Sequence, residues 1–139
     1  RHAHKRNTSD MGKTFRINVE GSDPRYSFHW NGTSDRLYVF EAPIDLLSFL
    51  TLYPKDWQQH SYVALCGVGE QAMLRVLEQN PEIRRPILCL DHDPAGIEAA
   101  ARAGMRSVGV GGSPLLAGAS MQLKGFEGFT FEMLCREID

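Results

Sequence analysis

Residues 37–41 read LYVFE, and residues 86–93 read PILCLDHD. Each stretch is a short apolar run that ends in acidic residues, a pattern typical of a strand buried on both faces of a parallel sheet. The carboxyl ends of such strands form the edge of the sheet where ligands bind. We therefore expect Glu41, Asp91 and Asp93 to meet at one edge. Three carboxylates there favour a hard cation such as Mg²⁺, Mn²⁺ or Ca²⁺, with Mg²⁺ preferred, and the phosphate chemistry that such a cation supports.

The composition is that of one folded domain. The chain has 139 residues, of which 42% are hydrophobic and 23% are charged, so it can bury a core and is not disordered by composition. The net charge of -2 argues against a globally basic surface for nucleic acid, although a local patch is compatible with it. Three cysteines without CxxC spacing argue against a disulfide framework or a zinc site, and we expect a location in the reducing cytoplasm.

Targeting signals are not visible in the sequence. No apolar run reaches the roughly 18 residues that a membrane helix needs, and no signal peptide is recognisable, so no membrane partner is expected. The chain begins with Arg1 rather than Met, which indicates a piece of a longer protein whose other domains would be partners.

The sequence pattern divides the chain into three parts. Residues 1–13 are polar and are expected to form a flexible N-terminal segment, with an arm that contacts nucleic acid as the alternative. Residues 14–35 contain two alternating runs, TFRINV and YSFHW, which predict a small antiparallel β region. Residues 36–139 are expected to form the main domain.

Strands and helices alternate through this main domain. Strands are predicted at residues 37–40, 62–65, 86–90 and 107–110, with helices at residues 43–53, 70–79 and 94–103 between them. In the first helix the predicted apolar face consists of Ile44, Leu47 and Leu50, with Phe49 as a further candidate. Residues 118–128 carry no pattern of a regular element. The alternation predicts an α/β fold with a Rossmann-type parallel four-stranded sheet flanked by helices, preceded by a short antiparallel β extension.

The spacing of Asp91 and Asp93 suits a shared ligand. Side chains two residues apart in an extended segment point to the same side, so these two can converge while His92 faces elsewhere. Neighbouring carboxylates repel one another, and a bound cation relieves that repulsion. Each acid also has a simpler interpretation. Asp93 could cap the following helix, Glu41 could be a surface residue, and Asp45 could stabilise the helix start.

Together these motifs resemble the Toprim domain, the catalytic module of bacterial primases, type IA and type II topoisomerases and several nucleases. The resemblance is carried by VFEAPID at residues 39–45, GVG at residues 67–69 and LCLDHDPAG at residues 88–96. The chain is also similar to Toprim-like proteins of bacterial mobile elements, because GSD at residues 21–23 and YSF at residues 26–28 precede these motifs. In those proteins a small domain precedes the Toprim core. The resemblance covers roughly residues 20–110.

The resemblance implies a role for each motif. Glu41 would act as general acid or base, or as a metal ligand, and Asp91 and Asp93 would hold Mg²⁺. Asp45 would support the site from the first turn of its helix. Three glycines would let the backbone pack close to the site: Gly67, Gly69 and Gly96.

One segment departs from the family pattern. Relatives of this type close with a Lys-Asp-Trp-Asn-like segment after the fourth strand, and residues 115–129 lack it. The contribution of that segment to substrate binding would be either missing here or replaced by Lys124. Arg106 and Lys124 are the candidate contacts to nucleic acid. Arg84 and Arg85 precede the third strand, at the end opposite the acids.

The resemblance implies DNA or RNA as the partner and leaves two main hypotheses. The first is a Mg²⁺-dependent catalytic core for nucleotidyl transfer or phosphodiester cleavage. The second is a non-catalytic module for DNA binding or recruitment in the replication or recombination of mobile elements. A haloacid-dehalogenase-type phosphatase is disfavoured, because that fold begins with its DxD strand and here the motif comes late in the chain.

Overall fold

The computed structural model describes residues 2–6, 11–12, 16–67, 69–89, 97–98, 101, 107–110, 112–114 and 117–124. Its strands are β1 (His4–Arg6), β2 (Arg16–Asn18), β3 (His29–Trp30), β4 (Arg36–Phe40), β5 (Ser61–Ala64), β6 (Arg85–Cys89), β7 (Val108–Val110) and β8 (Met121–Leu123). Its α-helices are α1 (Pro43–Leu52) and α2 (Gln71–Gln79), with 3-10 turns at Pro24–Tyr26 and Trp57–Gln59. No helix in the described ranges is long and apolar enough to cross a membrane.

The central sheet is mixed and has the strand order β3-β5-β4-β6. Strand β4 runs parallel to β5 and β6, whereas the edge strand β3 runs antiparallel to β5. The prediction of an α/β fold is confirmed, but an all-parallel sheet of four strands is not shown: three of the predicted strands are parallel, and the fourth strand of this sheet is β3. Only residues 31–35 separate β3 from β4. A parallel connection needs about a dozen residues or more, so β3 has to run against β4 and therefore against β5.

Two smaller sheets accompany the central one. Strands β1 and β2 form an antiparallel pair, and β7 and β8 form a parallel pair. The fourth predicted strand, residues 107–110, corresponds to β7, but its ladder partner is β8 rather than β6. It meets the central sheet through one parallel bridge, between Leu88 and Ser107.

The core lies on both faces of the central sheet, because alternate residues of each strand point to opposite faces. On the α1 face the buried residues are Tyr38, Phe40, Leu46, Tyr62, Ala64 and Ile87. On the α2 face they are Leu37, Val39, Val63, Ala72, Val76 and Ile83. Strand β4 contributes to both clusters, which explains why its sequence is an uninterrupted apolar run.

Helix α1 follows β4 almost at once and has Pro43 at its first turn, a position that suits proline because the missing N–H is not needed there. Leu46 is fully buried, whereas Ile44 and Leu47 are 56% and 46% exposed. The predicted apolar face is therefore wrong for Ile44 and Leu47. The sequence PIDLLSFLTL is apolar on nearly every side, so spacing alone does not single out the face that meets the sheet.

Candidate functional site

Glu41 directly follows β4, at the carboxyl end of an interior strand of the sheet. The chain leaving β5 folds over this strand end. Leu65 N donates to Phe40 O at 2.8 Å, and Gly67 N donates to Glu41 O at 3.3 Å. Glu41 is half-buried. Its backbone is therefore held in place by the segment that follows the neighbouring strand.

The turn after β5 has an unusual backbone. Cys66 has φ 57° and Gly67 has φ 140°, both in the range that L residues rarely adopt. A Cβ added at Gly67 would meet nothing within 4 Å, so the backbone conformation, and not lack of space, requires glycine there. Ser27 Oγ lies 3.0 Å from Cys66 Sγ and ties the turn to the segment before β3. The turn can thus pass close to Glu41.

The predicted supporting residues Asp45 and Gly69 do not line the cavity described below. Asp45 is half-buried in the first turn of α1, where a carboxylate interacts favourably with the positive end of the helix dipole. Gly69 does not have the conformational requirement of Gly67. A side chain there would meet only the flexible end of Gln71.

A cavity of about 190 Å³ opens beside Glu41. One side is formed by the ends of the central strands, with Glu41, Ala42, Cys66 and Gly67. The other side is formed by the β1–β2 hairpin, with His4, Ile17 and Asn18. The N-terminal hairpin therefore encloses part of the predicted site.

The hairpin residues of this cavity were missed by the sequence predictions. The TFRINV pattern predicts the strand that contains Ile17 and Asn18, but the packing of that strand near β4 depends on residues far apart in sequence. One signal was available. Residues 1–19 contain five Lys or Arg residues and one Asp, although the whole chain has a net charge of -2. Such segregated charge is typical of a segment with its own binding role.

The opposite edge of the sheet carries an ion pair. Arg85 Nε donates to Asp35 Oδ2 at 2.9 Å, and this hydrogen bond holds the pKa of Asp35 below its usual value. Both residues lie at the amino ends of the parallel strands, remote in register from Glu41. Arg85 is therefore engaged in a structural contact at the far edge.

Cys89 is the last residue of β6, two positions before Asp91 in the chain. Burial raises the pKa of its thiol to about 12, so it is neutral at physiological pH. A thiol needs to be ionised to ligate a metal or attack an electrophile. Cys89 is therefore a protonated thiol at the end of β6.

The remaining predicted site residues are divided between described and undescribed parts of the chain. Those that lie outside the described residues are Asp91, Asp93, Gly96 and Arg106. Lys124 follows β8, is exposed and does not line the cavity. Among the described residues, no three His, Cys, Asp or Glu side chains are grouped to hold a metal ion. Glu41 offers one oxygen ligand of the kind that Mg²⁺ takes, and the rest of the predicted set belongs to residues 91–93.

A model of the Toprim-like family matches residues 38–109, just over half of the 139-residue chain. The match begins in β4 and ends in β7, and it spans all the predicted acidic site residues. No curated protein matches the chain. No solved structure matches it either.

Proposed function

Because the chain belongs to the Toprim-like family, we propose that it is a Mg²⁺-dependent (or Mn²⁺-dependent) catalytic core acting on nucleic-acid phosphodiesters. Toprim domains are in general metal-binding modules of nucleic-acid processing. The supporting observation is the position of Glu41 beside the end of β6. Phe40 pairs with Cys89 in parallel register, so β4 and β6 end at the same edge of the sheet. The next residues after β6 lead to Asp91 and Asp93.

Each acid has its own role in this proposal. Glu41 takes a proton from the attacking hydroxyl or water, or gives one to the leaving oxygen. Asp91 and Asp93 hold the cation. When bound, Mg²⁺ supplies polarisation of a phosphoryl oxygen and stabilises the charge that develops on it. The supporting residues of the site are Asp45, Gly67, Gly69 and Gly96.

The proposal extends to the partners of the site. The substrate is DNA or RNA, contacted by Arg106 and Lys124, and the reaction is nucleotidyl transfer or hydrolysis. We further propose that the domain works with other domains of a bacterial cytoplasmic protein. Its division into an N-terminal segment at 1–13, a small β region at 14–35 and a Toprim-like domain at 36–139 also stays a prediction, but His4–Arg6 within the segment expected to be flexible forms strand β1.

Activity on single-stranded and supercoiled DNA tests the catalytic proposal. With Mg²⁺ or Mn²⁺ the chain should cleave DNA, or extend a primer when nucleotides are supplied, and EDTA should abolish the reaction. Glu41→Gln keeps the shape of the side chain but removes the proton carrier, so the rate should fall by at least about 100-fold. The matched control is Glu82→Gln, at an exposed position away from the cavity. Full activity of Glu41→Gln would refute the role of Glu41.

A second candidate is a non-catalytic module that binds or recruits DNA in the replication or recombination of mobile elements. The observation in its favour is that residues 115–129 lack the Lys-Asp-Trp-Asn-like segment of relatives. This candidate predicts DNA binding without turnover under every condition above. Binding and turnover measured on the same sample distinguish the two candidates.

A further inference from the structure

The β1–β2 hairpin brings a histidine to the cavity beside Glu41. His4 lines one side of this cavity of about 190 Å³, and Glu41 lines the other. His4 is the first residue of β1 and pairs with Asn18 of β2, whereas Glu41 directly follows β4. Residues far apart in the sequence therefore place an imidazole and a carboxylate at one small cavity.

Hydrogen bonds outside the His4 side chain hold the hairpin to the segment that leads into the central sheet. Val19 N donates to Ala3 O at 2.9 Å, and Ser22 N donates to Val19 O at 2.9 Å. Ala3 N also donates to Ser22 Oγ at 3.1 Å. These bonds involve the backbone of the residue next to His4, so we expect a change of the His4 side chain to leave the hairpin in place.

Asn18 determines which nitrogen of His4 carries the hydrogen. The Asn18 Oδ1 atom lies 3.0 Å from His4 Nδ1. An amide oxygen only accepts hydrogen bonds, so Nδ1 carries the hydrogen and donates it. In the neutral ring, Nε2 then has a lone pair and no hydrogen. The atom that His4 can offer to a ligand is therefore an acceptor, as are the oxygens of an ionised Glu41.

Two acceptors at one cavity suit an electron-poor ligand. A phosphate oxygen has only lone pairs and cannot bond to either of them, whereas a metal ion accepts lone pairs from both. Imidazole nitrogen and carboxylate oxygen are common ligands of transition metals such as Zn²⁺. Histidines that bind a metal typically donate their other ring N–H to a carboxylate or a carbonyl group, which fixes the tautomer. The amide oxygen of Asn18 has this relation to His4.

The described part of the chain supplies two ligands of such a site. Within it, no three His, Cys, Asp or Glu side chains are grouped to hold a metal ion, so waters and further acids have to complete the coordination. The cavity of about 190 Å³ has room for a partly hydrated ion, because one water takes up about 30 Å³ of the liquid.

We propose that His4 Nε2 is a ligand for a transition-metal ion at Glu41, and that Asn18 holds the imidazole in the ligating tautomer. This inference rests on the proposed function, because it concerns the cation of the same site. It adds a selectivity that carboxylates alone do not give. Imidazole suits Zn²⁺, whereas Mg²⁺ prefers oxygen ligands and water, so the site should bind Zn²⁺ more tightly than Mg²⁺.

Calorimetric titration of the full chain with Zn²⁺ tests the role of His4. His4→Gln should weaken Zn²⁺ binding at least tenfold, since even the loss of a residue that only supports a ligand typically costs about 10–100-fold in affinity. His2→Gln is the matched control. His2 Nε2 lies 2.9 Å from the same Asn18 Oδ1, but His2 does not line the cavity, so the Kd should change by less than about twofold. Equal losses in the two variants would place Zn²⁺ on the histidine pair outside the cavity and would overturn the inference.

Titration of the same variants with Mg²⁺ separates a ligand from a residue that only supports the fold. His4→Gln should change the Kd for Mg²⁺ by less than about threefold, because Mg²⁺ is held by oxygen ligands. Glu41→Gln should weaken the binding of both ions. A parallel loss of Zn²⁺ and Mg²⁺ affinity in His4→Gln would overturn the inference.

The imidazole nitrogen resonances of the unsubstituted chain give a readout that does not depend on the folding of any variant. Before Zn²⁺ is added, proton–nitrogen correlation spectra of the neutral ring should show the hydrogen of His4 on Nδ1, as its bond to Asn18 requires. Zn²⁺ should shift the Nε2 resonance of His4 and leave Nδ1 protonated. An Nε2 resonance that Zn²⁺ leaves unchanged would overturn the inference.

The outcomes separate this inference from the proposed function. If Mg²⁺ binding depends on Glu41 but Zn²⁺ binding does not depend on His4, only the role of His4 is wrong. If neither ion binds to the unsubstituted chain, the proposed function fails as well.

Discussion

The substitution Gly67→Ala tests whether the turn after β5 requires its unusual backbone. Gly67 has φ 140°, and a Cβ there would meet nothing within 4 Å, so any cost comes from strain and not from a clash. Holding an alanine in such a conformation costs about 1–3 kcal/mol. The turn can relax instead by giving up the 3.3 Å bond from Gly67 N to Glu41 O, which costs about 0.5–1.5 kcal/mol. The turn takes the less costly of these two routes, so we expect the free energy of unfolding to fall by about 1 kcal/mol.

Urea unfolding followed by circular dichroism measures this fall in the free energy of unfolding. In thermal unfolding the same change lowers the Tm by roughly 3–5 °C for a chain of this size. Gly112→Ala is the matched control. A Cβ at Gly112 also meets nothing within 4 Å, but its φ lies outside the left-handed range. It should stay within about 0.5 kcal/mol of the unsubstituted chain. Equal unfolding free energies for the two variants would refute the explanation by backbone strain.

Three other predictions concern packing and ionisation. Leu46 is fully buried, so Leu46→Ala should lower the free energy of unfolding by about 2–5 kcal/mol. Leu52 is 62% exposed, so the control Leu52→Ala should change the free energy of unfolding by about 0.5 kcal/mol or less. Equal urea midpoints for the two variants would contradict the packing of Leu46. Burial raises the pKa of the Cys89 thiol from 9.0 to about 12, so the unfolded chain loses this proton first and stability should fall as the pH rises from 9.0 towards about 12. Cys89→Val should flatten that part of the profile in urea unfolding, and an unchanged slope would count against the burial of the thiol. Arg85 lowers the pKa of Asp35 below 3.8, so the pair stabilises the fold above that pH and the contribution is lost as the pH falls. The effect on the midpoint of acid unfolding should be small, because the Arg85 and Asp35 side chains are 41% and 36% exposed. Arg85→Gln should also leave the affinity for an oligonucleotide within about twofold of that of the unsubstituted chain.

Local patterns predicted the three parallel strands and the first two helices well, whereas most of the third predicted helix, residues 94–103, lies outside the described residues. Strands were expected at residues 37–40, 62–65 and 86–90, and they occur at Arg36–Phe40, Ser61–Ala64 and Arg85–Cys89. Strands β4 and β5 are buried on both faces, so their apolar runs are distinct in the sequence. The start of α1 was also predictable, because Pro43 favours the first turn of a helix.

Long-range pairings were not predictable from local patterns. The YSFHW pattern predicts a strand but does not show that β3 pairs with β5 at the edge of the central sheet. Likewise, Met121–Leu123 has no pattern of its own and is a strand because it pairs with β7. Strand propensity reflects the partner and the degree of burial, both of which are set by the tertiary structure.

The candidate site likewise combines a feature that the local sequence predicted with features that depend on long-range packing. The position of Glu41 at a strand end followed from the apolar run before it, and the structure places it there. The contributions of His4 and Asn18 to the cavity could not be predicted, because they depend on how the hairpin packs near β4. The convergence of Asp91 and Asp93 on Glu41 stays a prediction.

Paramagnetic broadening of amide resonances by Mn²⁺ tests that convergence most directly. We predict that Mn²⁺ broadens the amides of Glu41 and Gly67 and leaves those of Arg36 and Arg85, at the opposite edge of the sheet, sharp. Replacing both aspartates of the DxD motif by asparagine should abolish the broadening. The central claim would be contradicted if Mn²⁺ left Glu41 sharp in the unsubstituted chain, or if the broadening persisted in the double variant.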